Sequence, residues 1–160
     1  MKIDHIFDMK MMPTYEGWTP TITDHLLGLE ASDRRLRFLS SVTDEGIRSF
    51  CEKSRPHALI VAYEGERVVG LSEVHMTKSG AEIAVSVNAD KRGMGIGGEL
   101  FSLALSEAAK AGAAHVSVLF DRRNTAVRRM CERHGARVLS AGSEVSAVIR
   151  LRPAEQDVSQ

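Results

Sequence analysis

The sequence predicts an α+β fold, in which a mixed and mostly antiparallel sheet is flanked by helices on both faces. Short β-rich runs cluster between residues 57 and 89 and again after residue 115, and segments with helical spacing stand before and between them. The resulting order is two helices, three strands, a helix, a strand, a helix and two strands. This order is typical of helices packed against one sheet.

Size and composition favour a single globular domain over residues 1–160. Hydrophobic residues make up 43% of the chain and charged residues 26%, as in ordinary globular proteins. Basic and acidic residues both number 21, so the net charge gives no reason to expect nucleic acid as a partner. No apolar run is long enough to span a membrane, no secretion signal is evident, and Cys51 and Cys131 lack metal-ligand spacing. We therefore expect a cytoplasmic protein without a metal site.

The first half of the chain predicts two helices. Residues 1–18 have no firm period, so a loosely ordered segment and a packed strand both remain open there. Asp24 is a candidate N-cap for a helix in DHLLGLE, and Asp44 is a candidate N-cap for a second helix that carries Ile47 and Phe50 on one side.

Three strands follow these helices. The runs at residues 57–63 and 67–76 are separated by Glu-Gly-Glu, which suits a hairpin. A turn at residues 78–80 then leads into AEIAVSVNA, where Ile83, Val85 and Val87 alternate with smaller or polar residues. This alternation predicts a strand with two distinct faces.

The second half predicts alternating helices and strands. GELFSLALSEAAKAG reads as an amphipathic helix that ends at Gly112, and HVSVLF reads as a buried strand. Residues 124–134 fit a helix closed by Gly135, and residues 137–140 and 145–151 fit two final strands. The tail at residues 153–160 is expected to be loose.

A glycine-rich turn joins the third strand to the following helix. Its sequence is Arg92-Gly93-Met94-Gly95-Ile96-Gly97-Gly98. Glycines let a ligand approach the backbone, and the helix N-terminus carries about half a positive charge, so a pyrophosphate is a suitable ligand. A structural turn also collects glycines. The spacing matches neither the dinucleotide pattern G-x-G-x-x-G with its acid nor the P-loop ending in Gly-Lys-Ser/Thr.

The spacing Arg-x-x-Gly-x-Gly, formed by Arg92, Gly95 and Gly97, resembles the acetyl-CoA signature of the GNAT superfamily of N-acetyltransferases. The resemblance covers about residues 20–151 and implies acetyl-CoA as co-substrate. It implies that the backbone of Val85 and Val87 contacts the pantetheine arm and that the turn binds the pyrophosphate. It also implies that the helix opened by Asn124 forms a second cofactor segment. An arginine of that helix, such as Arg128, is a candidate partner for the 3′-phosphate.

The acetyl acceptor must lose a proton before it can attack. An amine such as lysine has a pKa of about 10.4, and only its neutral form is nucleophilic. Glu82 precedes the proposed pantetheine contacts on the same strand and is the favoured base, while Glu73 is an alternative base or a second acid in a water relay. His75 is a more distant candidate. A solvent-exposed strand-edge charge is the competing interpretation of Glu82.

A second resemblance concerns the same strand. AEIAVSVNADKRGMGIG and ASDRRLRFLSSVTDEGIRSF are similar to segments of the GNAT domain of bacterial protein-lysine acetyltransferases, where the glutamate at the position of Glu82 is the general base. Many relatives carry a tyrosine that protonates the thiolate where this chain has Cys131. Those domains can also lack it, and for Cys131 a buried apolar role is favoured over that of an acid.

These observations predict an N-acetyltransferase that works by direct attack. The acceptor is a primary amine, either a protein lysine or a small molecule. A non-catalytic acyl-CoA-binding or regulatory module is the alternative function, and the sequence leaves a homodimer open.

Overall fold

The computed structural model describes residues 7–12 and 15–152. The strands are β1 (Asp8–Met11), β2 (Ala58–Glu64), β3 (Arg67–Met76), β4 (Ala81–Val87), β5 (His115–Asp121), β6 (Arg137–Ala141) and β7 (Glu144–Arg150). The helices are α1 (Tyr15–Leu27), α2 (Ala31–Phe38), α3 (Asp44–Lys53), α4 (Ile96–Lys110) and α5 (Thr125–Arg133), and a 3₁₀ turn spans Ala89–Lys91. The expectations for residues 1–6, 13–14 and 153–160 lie outside the described residues.

The strands form one sheet in the order β1-β2-β3-β4-β5-β7-β6. Every neighbouring pair is antiparallel except β4 and β5, which are parallel and are connected through α4. The predicted α+β fold with a mixed, mostly antiparallel sheet is confirmed.

Each face of the sheet has its own apolar core. On one face, Leu100 and Phe101 of α4 pack against strand residues such as Phe120. On the other face, Ile22 of α1 and Ile47 of α3 pack against β2 and β3. Helices therefore cover both faces, as the sequence predicted. None of the helices in the described part of the chain is long and apolar enough to cross a membrane.

Two elements near the N-terminus escaped the sequence prediction. Strand β1 lies within residues 1–18, for which the sequence did not decide between a loose segment and a strand, and it pairs with β2. Helix α2 is an additional helix between the two that were expected. Helix α1 begins at Tyr15 and contains Pro20, so Asp24 lies near its end and does not cap its start. Helix α3 is capped by Thr43, whose Oγ1 accepts a hydrogen bond from the amide of Gly46 at 3.1 Å.

Candidate active site

Strands β4 and β5 pair over only two residues and then separate. Ala81 pairs with Val116 and Glu82 with Ser117, after which the parallel ladder ends. A cavity of about 510 Å³ opens beyond this point, lined by residues 83–87 of β4 and 118–120 of β5. The backbone groups on the β5 side of Val85 and Val87 thus have no sheet partner and are available to an extended ligand. This is where the sequence predicted the pantetheine contacts.

The glycine-rich turn forms one end of this cavity. Gly93 and Gly95 have φ values of 78° and 83°, a region that other residues enter only at a cost, and Gly95 is the N-cap of α4. The first amides of α4 have no acceptor within the helix. The cavity is lined by Arg92, Gly93, Gly95, Ile96, Gly97 and Gly98. Met94, the remaining residue of the predicted turn, is half exposed and does not line the cavity.

Gly95→Ala is expected to weaken CoA binding by about tenfold, because Ala at a positive φ costs roughly 1–2 kcal/mol and shifts the amides of the turn. Gly112→Ala is the matched control. Gly112 has a φ of 91°, follows α4 at its other end, and has open space where a Cβ would stand, as Gly95 does. Calorimetric titration with CoA should show a loss for the first variant alone. Equal affinities in the two variants would contradict the assignment of the turn.

Arg92 already has an anionic partner in this structure. Its guanidinium lies 2.8 Å from the carboxylate of Asp33 on α2 and also donates to the carbonyl of Val87 at 3.4 Å. Asp33 is buried and is the one acid that lines the cavity within the described chain. A phosphate that binds at the turn therefore either shares Arg92 with Asp33 or displaces Asp33 from the guanidinium.

The charge of the cavity differs from that of the whole chain. Its lining includes six cationic side chains, Arg37, Lys91, Arg92, Arg123, Arg129 and Arg133. The first four of them form ion pairs, with Glu73, Glu64, Asp33 and Asp121 in that order. Arg129 and Arg133 have no ion pair among the described residues, so the cleft suits a polyanion such as the phosphate groups of CoA. The residues present therefore fit the cofactor that the sequence implied.

Helix α5 forms the opposite wall. Asn124 caps it, because its Oδ1 accepts a hydrogen bond from the amide of Val127 at 3.3 Å, and both residues line the cavity. Arg129 and Arg133, one helical turn apart, also line it. Arg128 instead pairs with Glu132 at 2.9 Å and lies outside the lining. Thr125 also lines the cavity, and Arg129 and Arg133 follow it at intervals of four residues, on the same side of the helix. This spacing could have identified both arginines from the sequence.

Glu82 lies where β4 and β5 part. It is exposed, and it belongs to the last residue pair between these strands. It does not itself line the cavity, but its neighbours Ile83 and Ala84 do. Across the antiparallel pairing with β3, Glu82 is directly opposite His75.

Glu73 has a different environment. Its side chain is fully buried, and its carboxylate accepts hydrogen bonds from Arg37 at 2.7 Å and from Nε2 of His75 at 3.3 Å. Burial acts to raise the pKa of Glu73, but the Arg37 charge and the hydrogen bonds outweigh it and lower the pKa to about 2. Glu73 is thus ionised near neutral pH and is a weak proton acceptor.

Cys131 packs in the apolar core with a fully buried side chain. Burial raises the pKa of its thiol to about 11, and Cys131 does not line the cavity. The favoured prediction of a buried apolar role is confirmed.

His25 of α1 connects that helix to β4. Its Nε2 lies 2.9 Å from Oγ of Ser86, which lines the cavity, and only 5% of its surface is exposed. Burial lowers the pKa of His25 to about 4, against the opposing effect of the Glu73 carboxylate.

Stability is therefore expected to fall as the pH drops from about 6.5 to 4. In this window the unfolded chain binds a proton at His25 that the folded protein does not, which costs up to about 3 kcal/mol. Urea unfolding at a series of pH values measures the effect. His25→Gln should flatten the dependence, whereas His57→Gln, at an exposed position, should leave it unchanged. An equally steep decline in His25→Gln would refute the assignment.

Comparisons with known proteins agree with this geometry. The sequence profile of the Acetyltransferase (GNAT) family matches residues 24–136. No protein of curated function matches the sequence.

Three solved structures illustrate the likeness in fold. The GNAT domain of PAT from S. lividans has a TM-score of 0.72 at 12% identity, over 89% of this chain and 90% of that chain. The ribosomal-protein-S18-alanine N-acetyltransferase from Escherichia coli has a TM-score of 0.67 at 11% identity, over 96% and 99%. The PaiA N-acetyltransferase from Thermoplasma acidophilum, solved with coenzyme A, has a TM-score of 0.66 at 13% identity, over 90% and 99%.

The splayed strands, the glycine-rich turn and the family profile, which spans more than half of the chain, lead to one assignment. The chain belongs to the GNAT family of N-acetyltransferases, whose co-substrate is acetyl-CoA.

Proposed function

We propose that this enzyme transfers the acetyl group to a primary amine by direct attack, with Glu82 as the general base. The observation that carries the proposal is the position of Glu82 at the point where β4 and β5 part. A cofactor whose pyrophosphate lies at the glycine-rich turn and whose arm follows residues 87–83 has its thioester at the inner end of the cavity. Glu82 stands beside that end.

Strand geometry supports this placement. From Val87 to Glu82 the strand advances about 16 Å, at about 3.3 Å per residue, so the base is well removed from the phosphate end. Side chains along β4 alternate between faces, and Glu82 lies on the face that α1, α2 and α3 cover. The amine then approaches from that face, while the cofactor arm lies between the strands.

Direct attack requires no covalent enzyme intermediate. Both cysteines, Cys51 and Cys131, are buried and neither lines the cavity. The ammonium loses one proton to Glu82, and its nitrogen attacks the thioester carbon. The C–S bond then breaks, and the second proton of the nitrogen passes to the departing thiolate, so that CoA leaves as a thiol. The unpaired backbone amides of β4 are positioned to polarise the thioester carbonyl.

Glu73 has a supporting role in this proposal. Its low pKa disfavours it as the base, and its two hydrogen bonds hold Arg37 and His75 in place. Because Arg37 lines the cavity, Glu73 acts on the cleft through the position of that side chain.

The acceptor is a protein lysine or a small amine. The similarity of two segments to protein-lysine acetyltransferases favours the lysine, whereas the names of the relatives indicate different acceptors, including the alanine of a ribosomal protein. The test is therefore broad. Purified protein with acetyl-CoA is offered proteins, peptides and small amines, and released CoA is measured with a thiol reagent. At least one primary amine should yield an acetylated product.

The same screen tests the alternative of a non-catalytic acyl-CoA-binding module. That alternative predicts tight CoA binding by calorimetry and no CoA release with any acceptor.

A further inference from the structure

Four ionisable side chains lie in a row on the face of the sheet that receives the amine, and the first three of them are in contact. Arg37 contacts Glu73 at 2.7 Å, and Glu73 contacts Nε2 of His75 at 3.3 Å. His75 is directly opposite Glu82 in the β3–β4 pairing. Opposed residues of an antiparallel pair have Cβ atoms about 4.5–5.5 Å apart, which puts the imidazole within reach of Glu82, directly or through one water.

The row fixes the tautomer of His75. The Glu73 carboxylate is fully buried and ionised, so it can only accept hydrogen bonds. Nε2 of His75 must therefore carry the hydrogen, and the lone pair of the neutral ring lies on Nδ1. The side chain of His75 is 30% exposed, so its ring joins a buried anion to solvent.

A carboxylate alone is a poor acceptor for the proton of an amine. A free carboxyl is about six pK units more acidic than a lysine ammonium, whereas a free imidazolium is only about four units more acidic. If the proton passes on to an imidazole, the equilibrium favours the neutral amine about a hundredfold more than it does with a carboxylate as the acceptor.

We propose that His75 is a proton relay that takes the proton of the acceptor amine from Glu82 and delivers it to solvent. The inference rests on the proposed role of Glu82 as the base. The N–H bond of the ammonium breaks as an O–H bond forms on Glu82. That O–H bond then breaks as an N–H bond forms at Nδ1 of His75, and the resulting imidazolium, flanked by two carboxylates, releases the proton to water.

The charged and titratable groups that face His75 come from several elements. Glu73 lies two residues away on β3, Arg37 reaches the row from α2, and Glu82 lies across on β4. On the β2 side, His57 is the neighbour, since its amide donates to the carbonyl of Val74. Two carboxylates, one guanidinium and a second imidazole are therefore the charged and titratable neighbours of the ring.

Nitrogen NMR of labelled protein tests the coupling without any acceptor. The signals of His75, assigned by their loss in His75→Gln, are expected to show hydrogen on Nε2 in the neutral ring. In Glu82→Gln, the Nδ1 signal of His75 is expected to change, because the group opposite that nitrogen is then a neutral amide. A neutral ring protonated on Nδ1, or an Nδ1 signal that is unchanged in Glu82→Gln, overturns the relay.

Kinetics separate the relay from the base. With an acceptor from the screen, His75→Gln is expected to lower kcat by roughly 10–100-fold at constant Kd for CoA, and to remove the imidazole-dependent limb of the pH profile. His57→Gln is the matched control and should retain both. If kcat falls in Glu82→Gln but not in His75→Gln, the relay is rejected and the role of Glu82 as the base stands. If kcat is unchanged in Glu82→Gln, the role of Glu82 as the base is rejected, and the relay with it.

Discussion

Glu82→Gln is expected to lower kcat by about 10²–10⁴-fold and to leave the Kd for CoA within about twofold of the original value. The amide keeps the size of the side chain but cannot accept the proton of the amine. Glu82 does not line the cofactor cavity and is not in the glycine-rich turn, so cofactor binding has no reason to change. Steady-state rates of CoA release and calorimetric titrations measure the two quantities.

The matched control is Glu66→Gln, which neutralises an exposed acid in the turn between β2 and β3. It should leave kcat unchanged. Raising the pH should partly restore Glu82→Gln, because more of the amine is then already neutral. Full activity of Glu82→Gln at neutral pH would remove Glu82 as the base.

The parts of the fold that sequence predicts well are those specified by local pattern. Strand β3 was predicted at residues 67–76, the range it occupies, because a glycine turn and a regular β-rich run delimit it. Helix α2 was not predicted. Its eight residues include four charged ones, and two of these make tertiary contacts, Arg37 with Glu73 and Asp33 with Arg92. Local pattern carries no record of such contacts.

The candidate site likewise has features that local sequence patterns predict and features that they do not. The glycine-rich turn and the cap at Asn124 follow from short-range spacing and were identified from sequence. The cationic lining of the cleft was identified only in part, through Arg92 and an arginine of α5. The net charge of zero gave no further indication, because it averages over cations that come together from α2, the glycine-rich turn and α5 only in the folded chain. The different environments of Glu82 and Glu73 arise from pairing between strands and from Arg37, which lies 36 residues before Glu73.

The buried ion pair of Arg37 and Glu73 gives the largest expected effect on stability. Glu73→Ala should lower the free energy of unfolding by about 3–5 kcal/mol, because Arg37 is left as a largely buried charge without its carboxylate. Urea unfolding near pH 7 measures the loss. Glu132→Ala, which breaks the exposed pair with Arg128, is the control and should cost only about 0.3–0.5 kcal/mol.

A second variant separates the cost of an orphaned charge from the value of the pair. In Glu73→Leu combined with Arg37→Met, no buried charge remains, so most of the lost stability should return. Catalysis should not return with it, because His75 then lacks the anion that fixes its tautomer and Arg37 no longer lines the cleft. A double variant that is as unstable as Glu73→Ala would show that the pair itself stabilises the fold. Recovery of stability without activity would show that the pair is retained for the chemistry of the cleft.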